Sequence, residues 1–130
     1  MPLKAHELAQ FTGTDTWRSW SPMFPKMLLT QGAQYVAEHG GKSGAYWLMD
    51  AIASYQPELQ KKPRLQDAQF WTLQVHPDKT ATLLCQEDSG MEPAVEQQID
   101  FTDFDLPEIK LYCMPVGDGV RYTILLPSEY

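Results

Sequence analysis

The spacing of apolar positions changes near residue 68, and that change divides the chain. Ahead of it the period is helical. Ala45, Leu48, Ala51, Ile52 and Tyr55 recur at i, i+3, i+6, i+7 and i+10, which places them on one face of a predicted helix over residues 44–56. Trp47, Met49 and Ala53 widen that face, leaving Tyr46, Asp50 and Ser54, spaced by fours, as a narrow polar stripe. A helix so apolar is expected to be covered from more than one side. Pro57 stops it, and the polar stretch 58–67 reads as a linker.

Two further helices precede it. Over residues 2–12, Pro2 suits a first turn, Ala5, Leu8, Ala9 and Phe11 supply an apolar face, and Gly13 is the stop. Over residues 30–39, Thr30 is the expected N-cap and Gly40 and Gly41 the terminator. Residues 13–29 between them are irregular, with two prolines and with Trp17, Trp20 and Phe24 in close succession.

From residue 68 onward the apolar period is 2. Five strands are predicted, over residues 68–76, 80–87, 95–101, 108–114 and 120–126. Their inward positions are Trp71, Leu73 and Val75; Ala81, Leu83 and Cys85; Val95, Ile99 and Phe101; Ile109, Leu111 and Cys113; and Val120, Tyr122, Ile124 and Leu126. Residues 77–79 and the Gly-Asp-Gly at 117–119 are the turn signals between them. Helices first and short-linked strands second predict one α+β domain over residues 1–130. Its C-terminal antiparallel meander would be covered on one face by the N-terminal helices.

Composition narrows the function. With 43% hydrophobic and 12% aromatic residues the chain can offset the entropy of ordering. A net charge of −7 argues against direct nucleic-acid binding, which rests on Lys and Arg. The acid is unevenly spread: residues 1–86 carry a net +1 and residues 87–130 a net −8. The first residues lack the apolar core of a signal peptide, and no run approaches the ~18 apolar residues of a membrane span, so a cytoplasmic location is expected. Cys85 and Cys113 are too few and too far apart for a disulfide framework or a zinc site. Both fall in strand-like runs, where a free Cys is a small buried hydrophobe.

Several motifs fail on inspection, and no cofactor or metal is expected. Gly41-Lys42-Ser43 lacks both the earlier glycine and the preceding strand of a phosphate loop. The same residues miss a nucleophile elbow because Ala45 stands where its second glycine belongs. His6-Glu7 opens a zincin-like helix that ends on Gln10 instead of a second histidine. Asp100, Asp103, Asp105 and Glu108 offer hard oxygen ligands without the frame of a calcium loop, and read as an acidic connection.

Asp50 is the most informative single residue. A carboxylate enclosed by Trp47, Met49 and Ile52 would have a raised pKa unless Arg18, Lys42 or His39 paired with it. Tyr46 flanks it on the polar stripe, and Trp17 could wall a pocket. The structural reading, an acid tying the 13–29 segment to the core, is preferred over the catalytic one.

The pieces Leu8-Ala-Gln-Phe-Thr-Gly-Thr-Asp15 with Trp17, Thr30-x-Gly32, Ala45-Tyr-Trp-Leu-Met-Asp-Ala-Ile-Ala-Ser54 and Leu126-Pro-Ser-Glu-Tyr130 together resemble an uncharacterised family of small bacterial, including cyanobacterial, proteins classed as a domain of unknown function. The resemblance implies a single compact domain and brings no activity or catalytic residue with it. The leading expectation is therefore a non-enzymatic interaction or accessory domain. It would meet a protein partner or a second copy of itself through Trp17, Trp20 and Phe24 and through its acidic sheet. The alternative is a small-ligand-binding protein or minor hydrolase with a pocket around Asp50, Tyr46, His39, Trp17 and Arg18. A third reading is an acidic decoy for a nucleic-acid-binding partner.

Overall fold

In the computed structural model the described residues are 8, 10, 11, 18–42, 44–87, 92–116 and 121–130, the side chain of Arg64 aside. Most of the predicted helix over residues 2–12, Trp17, Val120 and the 117–119 turn lie outside them.

The first described strand, β1 (Met27–Leu29), runs into helix α1 (Gln31–His39). Thr30 is the N-cap, and its hydroxyl accepts the Ala33 N–H at 3.1 Å, satisfying one of the orphan donors of the first turn. Helix α2 (Tyr46–Ser54) buries Leu48, Met49, Ile52 and Ala53 and leaves Tyr46, Asp50 and Ser54 exposed, as the polar stripe requires. It is shorter than the expected 44–56. Pro57 cannot donate to the ladder and its ring crowds the carbonyl four residues back, but a first helical turn tolerates it. A new short helix, α3 (Gln56–Leu59), therefore follows, and Pro63 likewise opens α4 (Pro63–Asp67). The stretch read as a linker is helical, and it buries Leu59 and Leu65.

The strands β2 (Gln69–Val75), β3 (Ala81–Gln86), β4 (Val95–Ile99), β5 (Glu108–Pro115) and β6 (Tyr122–Leu125) fall on the predicted segments. Their arrangement corrects the expected five-stranded antiparallel meander. The sheet has six strands in the order β1-β6-β5-β2-β3-β4 and is mixed, because β1 pairs parallel to β6 with Met27 against Tyr122. After β4 the chain returns to place β5 beside β2, with Leu111 opposite Trp71. β1 is three residues long and follows two prolines, so it shows no alternation, and its partner lies far along the chain. β4 ends at Ile99, where β3 begins, and Phe101 is 69% exposed instead of inward-facing.

Trp71, Leu73, Leu83, Cys85, Ile109, Leu111, Cys113 and Ile124 form the buried face of the sheet and share one core with Val36, Leu48, Met49 and Ile52 of the helices. On the opposite face Phe70 meets Tyr112 edge-on at 5.0 Å, and Tyr112 meets Tyr130 at 5.7 Å.

Candidate binding groove

Asp50 lies on the exposed side of α2, not enclosed by Trp47, Met49 and Ile52 as expected, because the helical turn that buries its neighbours points it outward. Its partner is none of Arg18, Lys42 or His39. The Trp20 indole Nε1–H donates to Asp50 Oδ1 at 2.8 Å, and the Trp20 ring packs on Phe24 with centroids 6.2 Å apart. Arg18 and Leu29 exchange two backbone hydrogen bonds of 2.9 and 2.7 Å, and Arg18 shares a shallow depression of about 220 Å³ with Trp20 and Tyr46. Burial, reinforced by the Glu38 charge, pushes the Tyr46 hydroxyl pKa up. His39 stands apart from these, stacked on Tyr35 at 4.4 Å. The structure thus brings Asp50, Trp20 and Phe24 together and Arg18 beside Tyr46, while Trp17 lies outside the described residues.

The acidic connection has an internal use. Asp103 Oδ2 accepts the Lys42 N–H at 2.9 Å and Asp105 Oδ2 accepts the Gly41 N–H at 3.0 Å, with Gly41 held at φ 77°. The amides that a phosphate loop would offer to an anion are here taken by the chain's own carboxylates. Two of the acids that a nucleic-acid mimic would present are thereby committed to the fold. Among the described residues no group of three His, Cys, Asp or Glu could hold a metal ion.

Below Phe24 opens a groove of about 630 Å³. Phe24, Pro25, Met27, Ala53, Pro57 and Tyr122 supply its apolar and aromatic lining. Burial is also the main reason that the Tyr122 hydroxyl pKa is raised. The polar lining is Lys26 with three carboxamides, Gln56, Gln60 and Gln66. Gln56 and Gln60 belong to a chain of hydrogen bonds whose direction is fixed by groups of one polarity. The Trp71 indole can only donate, so Gln69 Oε1 faces it at 2.9 Å. Gln69 Nε2 then donates to the Leu65 carbonyl at 3.1 Å and to Gln56 Oε1 at 2.8 Å. Gln56 Nε2 donates to the Ile52 carbonyl at 3.0 Å and to Gln69 Oε1 at 2.8 Å. Gln60 Nε2 completes the chain by donating to Gln56 Oε1 at 2.7 Å. That leaves Gln60 Oε1 closed to solvent and without a donor among the described residues. Sequence reading missed this site because its glutamines sit in the supposed helix end and linker. The available signal was Gln56 and Gln60 at i, i+4 on either side of Pro57.

A second junction holds the chain end. Glu129 is buried, its Oε1 accepting Thr30 Oγ1–H at 2.6 Å and the Leu126 N–H at 3.0 Å, its Oε2 the Gly32 N–H at 3.0 Å. Two of the motif pieces quoted above, Thr30-x-Gly32 and the C-terminal LPSEY, are therefore the two halves of one contact.

These features define an α+β domain with a mixed six-stranded sheet and a carboxamide-lined groove beside its helices. The chain belongs to a family of unknown function, DUF6876, whose model matches residues 3–130. No curated protein and no solved structure matches it. No helix among the described residues is long and apolar enough to cross a membrane.

Proposed function

We propose that this is a non-enzymatic binding domain whose working surface is the groove below Phe24. The occupant is a small apolar or aromatic molecule that carries an amide or amine N–H. The observation that carries this reading is the Gln60 carbonyl oxygen, buried at the end of a hydrogen-bond chain that supplies it no donor. A buried acceptor left unmade costs about 1–3 kcal/mol, which a donor recovers when its entry displaces the side chains that close this oxygen off. The rest of the lining fits the usual recipe of apolar walls with few, fixed polar groups. The lining holds no carboxylate, histidine or thiol, and its titratable groups are Lys26 and Tyr122, whose raised pKa makes its hydroxyl harder to ionise as a base. Phe24 is half-buried and lines the groove, and the half-buried Trp20 packs on it, which ties the aromatic segment to the binding surface.

Benzamide and methyl benzoate test this, being similar in shape and differing in the N–H donor. Titrated into the isotope-labelled chain, benzamide is expected to move the side-chain amide signals of Gln56 and Gln60 and the Trp71 indole signal. Methyl benzoate should bind about tenfold more weakly, the discrimination of one buried hydrogen bond. In Gln60→Leu the two probes should bind alike. Equal affinities in the unaltered chain, or shifts confined to other surfaces, would sink the reading.

A further inference from the structure

The two edges of the sheet are not alike. At β1 the outer backbone is covered by Arg18, which exchanges both hydrogen bonds with Leu29. At the other edge stands β4, with no further strand paired to it among the described residues. Ladder alternation fixes which of its groups face outward. His76 N–H donates to the Thr80 carbonyl, so even-numbered residues of β3 bond to β2. Ala94 N–H donates to the Cys85 carbonyl, so odd-numbered ones face β4. With Gln97 opposite Leu83 and Ile99 opposite Ala81, the odd residues of β4 turn inward, and the backbone groups of Glu96 and Gln98 point over the edge.

We propose that β4 pairs antiparallel with β4 of a second copy of this chain, about a two-fold axis through Gln97, joining two sheets into one. The register follows from charge and polarity. Residues directly opposed across an antiparallel pair share a face, so only registers that match odd with odd and even with even keep each face intact. An axis at Glu96 sets Glu96 against the partner's Glu96, and an axis at Gln98 sets Glu96 against the partner's Asp100. Both oppose like charges. The axis at Gln97 sets Glu96 against the partner's Gln98 and half-buried Val95 against the partner's Ile99. It also lays Phe101, 69% exposed, beside the partner's Pro93. Glu96 stays diagonal to acids of the second copy, so added salt strengthens the pairing.

Sedimentation of the full chain over a range of concentrations tests this, with two substitutions at Gln98, whose side chain is on the outer face of the sheet. Gln98→Lys sets Lys against the partner's Glu96 twice and should tighten association about tenfold at low salt. Gln98→Glu sets Glu against Glu twice and should weaken it by a similar factor. An axis at Gln98 predicts the reverse for Gln98→Lys, because the lysine would meet itself. A chain that stays monomeric at high concentration as itself and as Gln98→Lys overturns the proposal. So does a dimer that both substitutions leave unchanged or move in the same direction. Neither result bears on the groove, which lies beside the helices.

Discussion

Glu129 shows how much one side chain can settle. Its two oxygens accept three hydrogen bonds at the start of α1 and of the C-terminal turn, tying residue 129 to residues 30 and 32. The helix N-terminus favours the negative charge as well. Glu129→Gln cannot reproduce this arrangement. Placed toward Gly32 the new NH₂ meets an N–H, and placed toward Leu126 it meets another. One donor must face a donor in either orientation, so the substitution should cost about 1–3 kcal/mol in urea denaturation. Gly32 is the complementary case. A Cβ there would sit 2.5 Å from Glu129 Oε1 and 2.7 Å from Leu126 Cδ1. Gly→Ala inside a helix ordinarily stabilises, but here the overpacking should cost about 1–3 kcal/mol. A Gly32→Ala chain more stable than the original would refute this account of the junction. In the sequence the two halves of the contact were visible as separate pieces, and nothing linear joined them. By contrast the Thr30 cap was legible in full, since its partner Ala33 lies three residues away.

At the scale of elements, what was legible was local and periodic. The apolar face and polar stripe of α2 stand as read, and five strands occupy their predicted segments. The prolines misled, because the same residue that ends one helix can open the next, as Pro57 and Pro63 do. Burial of Asp50 was also misread: apolar neighbours in sequence lie around a helix, not on one side of it. The consequence is that Asp50 acts as an anchor for the aromatic segment that walls the groove. Asp50→Ala should free the Trp20 indole and raise its quenching by acrylamide while lowering stability by only about 0.5–1.5 kcal/mol, the net worth of one hydrogen bond. Asp50→Asn keeps a carbonyl acceptor and should retain most of the protection. Quenching of Trp20 that is the same in both variants as in the parent would remove Asp50 from this role. The tenfold preference for benzamide should also fall in Asp50→Ala, since Phe24 moves with Trp20.

For the whole molecule, the sheet topology and the groove were illegible because both depend on contacts between distant segments. The cysteines were legible, and their burial makes a global prediction. Cys85 and Cys113 are free and lie on the helix-covered face of the sheet. Burial pushes the Cys85 thiol up to about 12 and raises Cys113 as well, the latter helped by its neighbour Cys85. An unfolded thiol ionises near 8.5, so above that pH the unfolded chain sheds protons that the folded chain keeps. Protons then favour the folded state, and stability falls as pH rises, from the unfolded value up through the folded one. The slope is at most about 1.4 kcal/mol per pH unit for each thiol. Lys and Tyr side chains also titrate in this range, Tyr46 and Tyr122 with raised pKa values of their own. Burial, the main cause of both shifts, is kept in a chain without cysteines, the smaller effect of the Cys113 charge on Tyr122 aside. The thiol contribution is therefore the difference between the parent and the Cys85→Ala, Cys113→Ala double variant. Urea unfolding at pH 8 and pH 10.5 should show the parent losing about 2 kcal/mol or more beyond the loss in the variant. Parallel losses in the two chains would mean that the thiols ionise in the folded state. That would place at least one of them in contact with water, at odds with the packing of the sheet against the helices.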